Sequence, residues 1–225
     1  MGEDLFEAGQ PLLTKGELAD LDLVGNVIRR QAGHIFISEG EETDFALVIR
    51  AGHVKALAGK PARIIAIRGP GDVVGEMAAI RRKPRSASIV AINDVEVLHL
   101  PAGAWMDFLH HHPRAMVAQL YNADERLDQV TRKIVESDMA AEQRLARALV
   151  QLVDRGAWPP EDGATVLGMS QPDIASLAWL STDSVKKIIR AFRERGIVET
   201  GRQTLWVMDD KTLRLIAAGE YTAQQ

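Results

Sequence analysis

A chain of 225 residues, 46% hydrophobic and 26% charged, has the composition of a globular protein and the length for two domains, each with its own core. It contains no cysteine, which excludes disulfides, thiolate zinc sites, cysteine-ligated iron–sulfur clusters and redox sensing through sulfur. The net charge of −4 argues against nucleic-acid binding only until its distribution is read: residues 1–139 carry 16 basic and 20 acidic side chains, residues 140–225 carry 11 of each, and 181–202 carry six basic against three acidic.

The opening Met1-Gly2-Glu3-Asp4 lacks the basic and apolar regions of a secretory signal, and Phe6 breaks a myristoylation pattern. No run approaches the ~18 apolar residues of a membrane span. The expectation is a cytoplasmic protein with no membrane partner.

From about Gly33 to Leu100 the chain reads as short strands rich in β-branched residues: 35–37, 46–49, 53–57, 63–67, 88–90 and 95–98. Gly40, Gly52, Gly59-Lys60-Pro61, Gly69-Pro70-Gly71 and Asn93-Asp94 punctuate them. Six or more strands at this spacing predict an antiparallel barrel or jelly roll.

Within this stretch Gly75-Glu76-Met77-Ala78 is followed by Arg85-Ser86. The glycine and the residues after it predict a single helical turn, whose unpaired N–H groups attract an anion. Arg85 can donate two parallel bonds to phosphate oxygens and Ser86 a third. Glu76 is an acceptor that would repel phosphate, so its partner is a sugar hydroxyl. A lone Glu–Arg pair is commonly just a salt bridge; the glycine, the spacing and the apolar surroundings favour a site for a sugar hydroxyl beside one compact phosphate.

His110-His111-His112 invites a metal or haem reading. Adjacent helical side chains diverge, so the three do not converge on one ion, and with Pro113 next they read as a solvated turn. No nucleophile–base arrangement or Walker loop is present. Catalytic residues, metal ligands and a resident cofactor are therefore all expected to be absent.

Residues 113–136 predict one long helix, with Val117, Leu120, Leu127 and Ile134 on a heptad seam and Asp124 and Thr131 in the alternate slots. Such a helix can pack on its own domain or pair with a second copy; the interrupted seam favours a homodimer with something polar at its interface. A second helix runs from 140 to about 153, and 155–163 is a loop.

Ser170 caps a helix beginning at Gln171, with Asp173 in a shortened capping box. Trp179-Leu180 makes a turn, and Ser181 caps a further helix that stops at Gly196. Val185, Ile188, Ile189 and Phe192 form one apolar stripe; Asp183, Lys187 and Arg190 oppose it, with Lys186 at the flank. Residues 197–207 read as a hairpin with Gly201-Arg202 at its tip. Helix, tight turn, cationic helix and wing in this order describe a winged helix-turn-helix, a double-stranded DNA reader. Ser170, Gln171, Thr182, Asp183, Lys186, Lys187, Arg190 and Arg202 are its candidate DNA contacts.

From about Gly33 to Ala217 the chain resembles the cyclic-AMP receptor protein/FNR (Crp/Fnr) family of bacterial transcription regulators, most clearly at Gly75-Glu76 and Pro84-Arg85-Ser86-Ala87. The resemblance implies an α+β chain: a jelly-roll cyclic-nucleotide-binding domain over 1–112, a dimerisation helix and hinge over 113–139, and a winged helix-turn-helix over 140–225. It places Glu76 on the ribose 2′-hydroxyl, Arg85 and Ser86 on a cyclic phosphate, and Gly75, Met77 and Ala78 around them. It also implies that helix side chains from both subunits reach the purine: Thr131 matches best, with Val130, or Gln129 on a one-residue slip, where the family usually has a hydroxyl. The implied effector is a cyclic nucleotide, with cAMP first; the implied partners are operator DNA, a second copy and RNA polymerase. Val130 keeps open another nucleotide, another small molecule or no ligand. Thr182, standing where the cyclic-AMP receptor protein has a base-reading arginine, implies a different operator, and Trp179, at a turn position that favours glycine, implies a local difference there.

Overall fold

The computed structural model describes residues 11–135, 138–154, 165–201 and 204–223. The chain divides into two compact units, residues 1–58 with 68–135, and residues 136–225 with 59–67.

The first unit opens with helix α1 (Lys15–Asp22), set by a full capping box in which Thr14 and Glu17 bond reciprocally. Two antiparallel sheets follow, the jelly roll expected from the strand spacing. One has the order β1 (Asn26–Arg30), β8 (Val95–Leu100), β3 (Ala46–Ala51), β6 (Val73–Val74); the other has the order β2 (Ile35–Ile37), β7 (Ser88–Ala91), β4 (Val54–Ala58), and β5 (Arg63–Arg68) follows β4 in the chain. Along β8 Val95, Val97, Leu98 and Leu100 are buried, and β3 pairs with it from Ala46 opposite Leu100 to Ala51 opposite Glu96, through one irregularity. Gly52 sits at φ +78, where an added Cβ would lie 2.1 Å from the Asp94 carbonyl oxygen. Only glycine lets the β3–β4 turn come that close.

Helix α2 (Glu76–Arg81) lies between β6 and β7, and α3 (Ala102–His111) follows β8. Trp105, Phe108 and Leu109 of α3 close one end of the core with Leu13, Leu21, Leu98 and Leu100. The histidine run is not the solvated turn of the sequence reading. His110 and His111 complete α3, and His112 Nδ1 lies 2.9 Å from the Phe108 carbonyl, with its ring stacked on Phe108. Nε2 of His112 reaches Asp20 Oδ2 at 3.1 Å. Among the described residues no cluster of three or more His, Cys, Asp or Glu is arranged to hold a metal ion.

Helix α4 (Pro113–Val135) has two faces. Ala115, Ala118 and Gln119 are buried. Leu120, Leu127 and Val130 are 67%, 64% and 54% exposed, and Met116 is exposed beside them. Of the seam positions read from the sequence, Leu120, Asp124, Leu127 and Thr131 are exposed and Val117 is half-buried, with Met116 and Val130 exposed to one side of them. The side chain of Ile134 lies outside the described residues.

The second unit holds α5 (Ala141–Asp154), β9 (Thr165–Leu167), α6 (Gln171–Ala178), α7 (Thr182–Glu194), β10 (Val198–Gly201), β11 (Thr204–Val207) and α8 (Asp210–Ala218). Its sheet runs β10, β11, β9, all antiparallel, and Gly201 leaves room for the Trp206 ring, which an added Cβ would meet at 2.6 Å. Leu145, Leu149 and Leu152 of α5 pack in its core with Ile174 of α6 and the stripe of α7. The loop read over 155–163 lies outside the described residues. No helix among the described residues is long and apolar enough to cross a membrane.

Candidate functional site

The predicted cassette comes together in the first unit. Gly75 takes the left-handed conformation (φ +78) and starts α2; a Cβ there would lie 2.7 Å from Ile37 Cδ1 and 2.8 Å from Arg85 Nη1. The glycine therefore serves both the turn and the passage of the arginine. Backbone bonds from Gly40 to the Arg85 carbonyl (2.8 Å) and from Arg85 to the Glu41 carbonyl (2.9 Å) fix the base of that side chain.

Arg85 is 3% exposed. Its Nε donates to Thr43 Oγ1 at 2.8 Å, and its Nη1 to the carbonyls of Phe45 (2.9 Å) and Gly75 (2.6 Å). The guanidinium lies 4.3 Å from the centre of the Phe45 ring. All three bonds go to neutral acceptors, so its positive charge is oriented without being neutralised through them. Burial lowers its pKa, while Asp44, Glu41 and Glu76 act to raise it; a guanidinium stays cationic through such a shift. Nη2 is buried with no partner.

Glu76 is 1% exposed. Its Oε1 receives Arg126 Nη1 at 2.5 Å, and Arg126 Nη2 donates to the Val73 carbonyl at 2.8 Å. Its Oε2 is buried and unpartnered. Buried charged groups are normally fully bonded, because an unmade bond costs about 1–3 kcal/mol or more. One orphaned acceptor on Glu76 and one orphaned donor on Arg85 are the complement of a ligand carrying a hydroxyl and an anion. This donor set fits the ribose and phosphate of a nucleotide.

The other cassette residues differ in depth. Ala78 is buried, whereas Met77 and Ser86 are exposed. Arg126 is the residue that sequence reasoning missed. Its signal was a cation continuing the buried stripe of Ala115, Gln119 and Asn122, at helical spacing along α4.

Taking the direction of Arg126 as facing the pocket, Val130 stands about 40° around the helix and Thr131 about 140°. Thr131 therefore projects on the other side of α4 from Arg126. Its hydroxyl donates to the Leu127 carbonyl at 3.1 Å, which leaves the oxygen as an acceptor. Gln129 is half-buried on the side of the buried stripe.

In the second unit Ser170 caps α6, accepting from Asp173 N–H at 3.2 Å and donating to Asp173 Oδ2 at 2.8 Å. Trp179 closes α6 at φ +56, so the turn keeps a left-handed corner despite its bulky residue. Ser181 caps α7 through Ser184 N–H at 3.1 Å. Val185, Ile188, Ile189 and Phe192 are buried, each side chain worth about 1.5–3 kcal/mol of burial. Asp183, Lys186, Lys187 and Arg190 stand exposed on the other side. Lys186 reaches Asp183 at 3.4 Å and Arg190 reaches Glu194 at 2.9 Å. Thr182 and Gln171 are half-buried first residues of their helices. Arg202 lies outside the described residues. Between the start of α6 and the wing lies a small cleft lined by Ser170, Gln171, Thr200 and Thr204.

Comparison with known proteins matches both halves. Residues 27–112 match the cyclic nucleotide-binding domain and residues 143–216 the Crp-like helix-turn-helix domain. The chain is 28% identical to the cyclic AMP receptor protein of Thermus thermophilus over 224 residues, 94% of this chain and 98% of that protein. It is 26% identical to a CRP-like cAMP-activated global transcriptional regulator of Mycobacterium tuberculosis, over 80% of this chain and 83% of that one. The fold also matches the structure of the c-di-GMP responsive global regulator CLP of Xanthomonas campestris (TM-score 0.74, 18% identity, 86% of this chain and 99% of that one). With a nucleotide-binding jelly roll in one unit and a winged helix-turn-helix in the other, the chain belongs to the Crp/Fnr family of DNA-binding transcription regulators.

Proposed function

We propose that the protein is a homodimeric transcription regulator whose DNA binding is set by a purine 3′,5′-cyclic nucleotide, cAMP first, bound at Glu76 and Arg85. The observation that carries this reading is the pair of orphaned buried atoms, Glu76 Oε2 and Arg85 Nη2. A ribose 2′-hydroxyl would satisfy the first and an exocyclic phosphate oxygen the second, with Ser86 and the first-turn amides of Met77 and Ala78 adding donors to the phosphate.

The exposed line Met116, Leu120, Leu127 and Val130 would pair with the same line of a second copy. In such a pair Thr131, on the other side of α4 from Arg126, would offer its acceptor oxygen to the purine bound by the partner. Operator DNA would meet α7 in the major groove, and RNA polymerase is the partner that regulation requires. No step calls for a catalytic group or a resident cofactor.

Val130 favours a second reading, in which the base is not adenine. An apolar side chain beside the pocket offers no hydrogen bond to a base edge, and a relative of the same fold responds to c-di-GMP.

Calorimetry with cAMP, cGMP and c-di-GMP tests both. Saturable heat with cAMP, lost in Arg85→Ala, supports the first reading; heat with one of the others alone supports the second. Silence from all three sinks nucleotide control.

A further inference from the structure

The segment after α8 makes more hydrogen bonds than its length would suggest. Gly219 ends the helix in left-handed conformation, and Glu220 N–H closes the turn on the Leu215 carbonyl at 2.9 Å. The next three residues reach two other helices. Tyr221 OH accepts from Arg195 Nη1 at 2.7 Å, and Arg195 is the C-cap of α7. Thr222 Oγ1 donates to Glu142 Oε2 at 2.7 Å, and Ala223 N–H donates to Glu142 Oε1 at 2.5 Å.

Glu142 lies in the first turn of α5 and is buried, as is Ala223. A carboxylate removed from water costs free energy unless both oxygens find donors. The tail supplies a donor to each, and the helix N-terminus favours the negative charge. The adjoining turn of α5 grips the same region: Gln143 and Arg147 donate to the Ala217 carbonyl at 3.3 and 2.8 Å. A continuous hydrogen-bonded path thus runs from the start of α5, through residues 223 to 221, to the end of the DNA-reading helix.

We propose that residues 221–223 are a strap that sets the angle of α7 against α5, with Glu142 and Tyr221 as positioning residues for operator recognition. In sequence α5 is the first helix after α4, so a rearrangement passed along the chain from the nucleotide-binding unit arrives at the turn that carries Glu142. The proposal rests on DNA binding by α7 and is independent of which nucleotide binds.

The test is equilibrium binding of the full chain to an operator duplex, obtained by random-library selection, and to a random duplex at the same ionic strength, with thermal melting alongside. Glu142→Ala is expected to weaken operator binding about tenfold, and Glu142→Gln, which keeps one acceptor, less. Tyr221→Phe removes the acceptor of the Arg195 guanidinium and is expected to cost about threefold on the operator, the scale of one solvent-exposed hydrogen bond, with melting near wild type and random-duplex affinity unchanged. Unchanged operator affinity in folded Tyr221→Phe and Glu142→Ala would overturn the proposal. Equal losses on both duplexes would overturn it too, since a set helix angle matters for base reading and not for phosphate attraction.

Discussion

Arg126 on α4 holds Glu76 on α2 at 2.5 Å, so the carboxylate of the candidate site is also an anchor of the long helix. One oxygen serves the helix and the other is buried without a partner. In the proposed complex a ribose hydroxyl at Oε2 would share the carboxylate with Arg126, which makes this pair a physical link between the proposed site and the helix.

Arg126→Leu leaves Glu76 buried with neither oxygen satisfied. The expected cost is about 1–3 kcal/mol of stability, read as a lower denaturant midpoint. Nucleotide affinity should also fall, since the carboxylate loses the partner that holds it in place. Wild-type stability in that variant would show that water replaces Arg126 without cost.

Gly75→Ala forces a left-handed alanine and a Cβ 2.8 Å from Arg85 Nη1. Backbone strain of about 1–3 kcal/mol and a displaced guanidinium are expected together. Calorimetry should show weaker nucleotide binding even where the variant remains folded; unchanged affinity would mean that the arginine does not need its present seat.

Lys187→Ala should relax preference at one operator base pair and cost about 1–3 kcal/mol on the selected site. Competition binding against single-base operator variants measures it. An equal loss on random DNA would make Lys187 a phosphate contact.

Glu17 is an identifiable source of pH-dependent stability. Burial raises its pKa, but hydrogen bonds from Arg114 and Thr14 outweigh burial and hold it below its ordinary value of 4.5. A lowered folded pKa means that the group contributes its full stability above about 4.5 and loses it as pH falls through the folded value. Denaturant midpoints measured from neutral to acid pH should therefore fall more steeply for wild type than for Glu17→Gln. Parallel curves would assign the acid sensitivity to other carboxylates.

Much of the fold was legible because its elements carry strong local signals. Runs such as Arg63–Ile67 and Ser88–Val90 announce strands, and Ser170, Ser181 and Gly196 mark helix ends as the structure has them. What escaped had weak or misleading signals. β1 carries Arg29 and Arg30 and is largely exposed, so no alternation marked it. β6 is two residues long. Arg126 escaped for a different reason: an arginine on a long helix reads as solvated until a tertiary partner is known.

The central claim is that a cyclic nucleotide at Glu76 and Arg85 governs DNA binding. Titration of a selected operator duplex with and without saturating cAMP tests it most directly, with Arg85→Ala alongside. The expected result is a shift in operator affinity of about 5- to 150-fold in wild type and none in the variant, whose nucleotide affinity should be weaker by about 2–5 kcal/mol. Identical operator affinity in wild type with and without the nucleotide would contradict it.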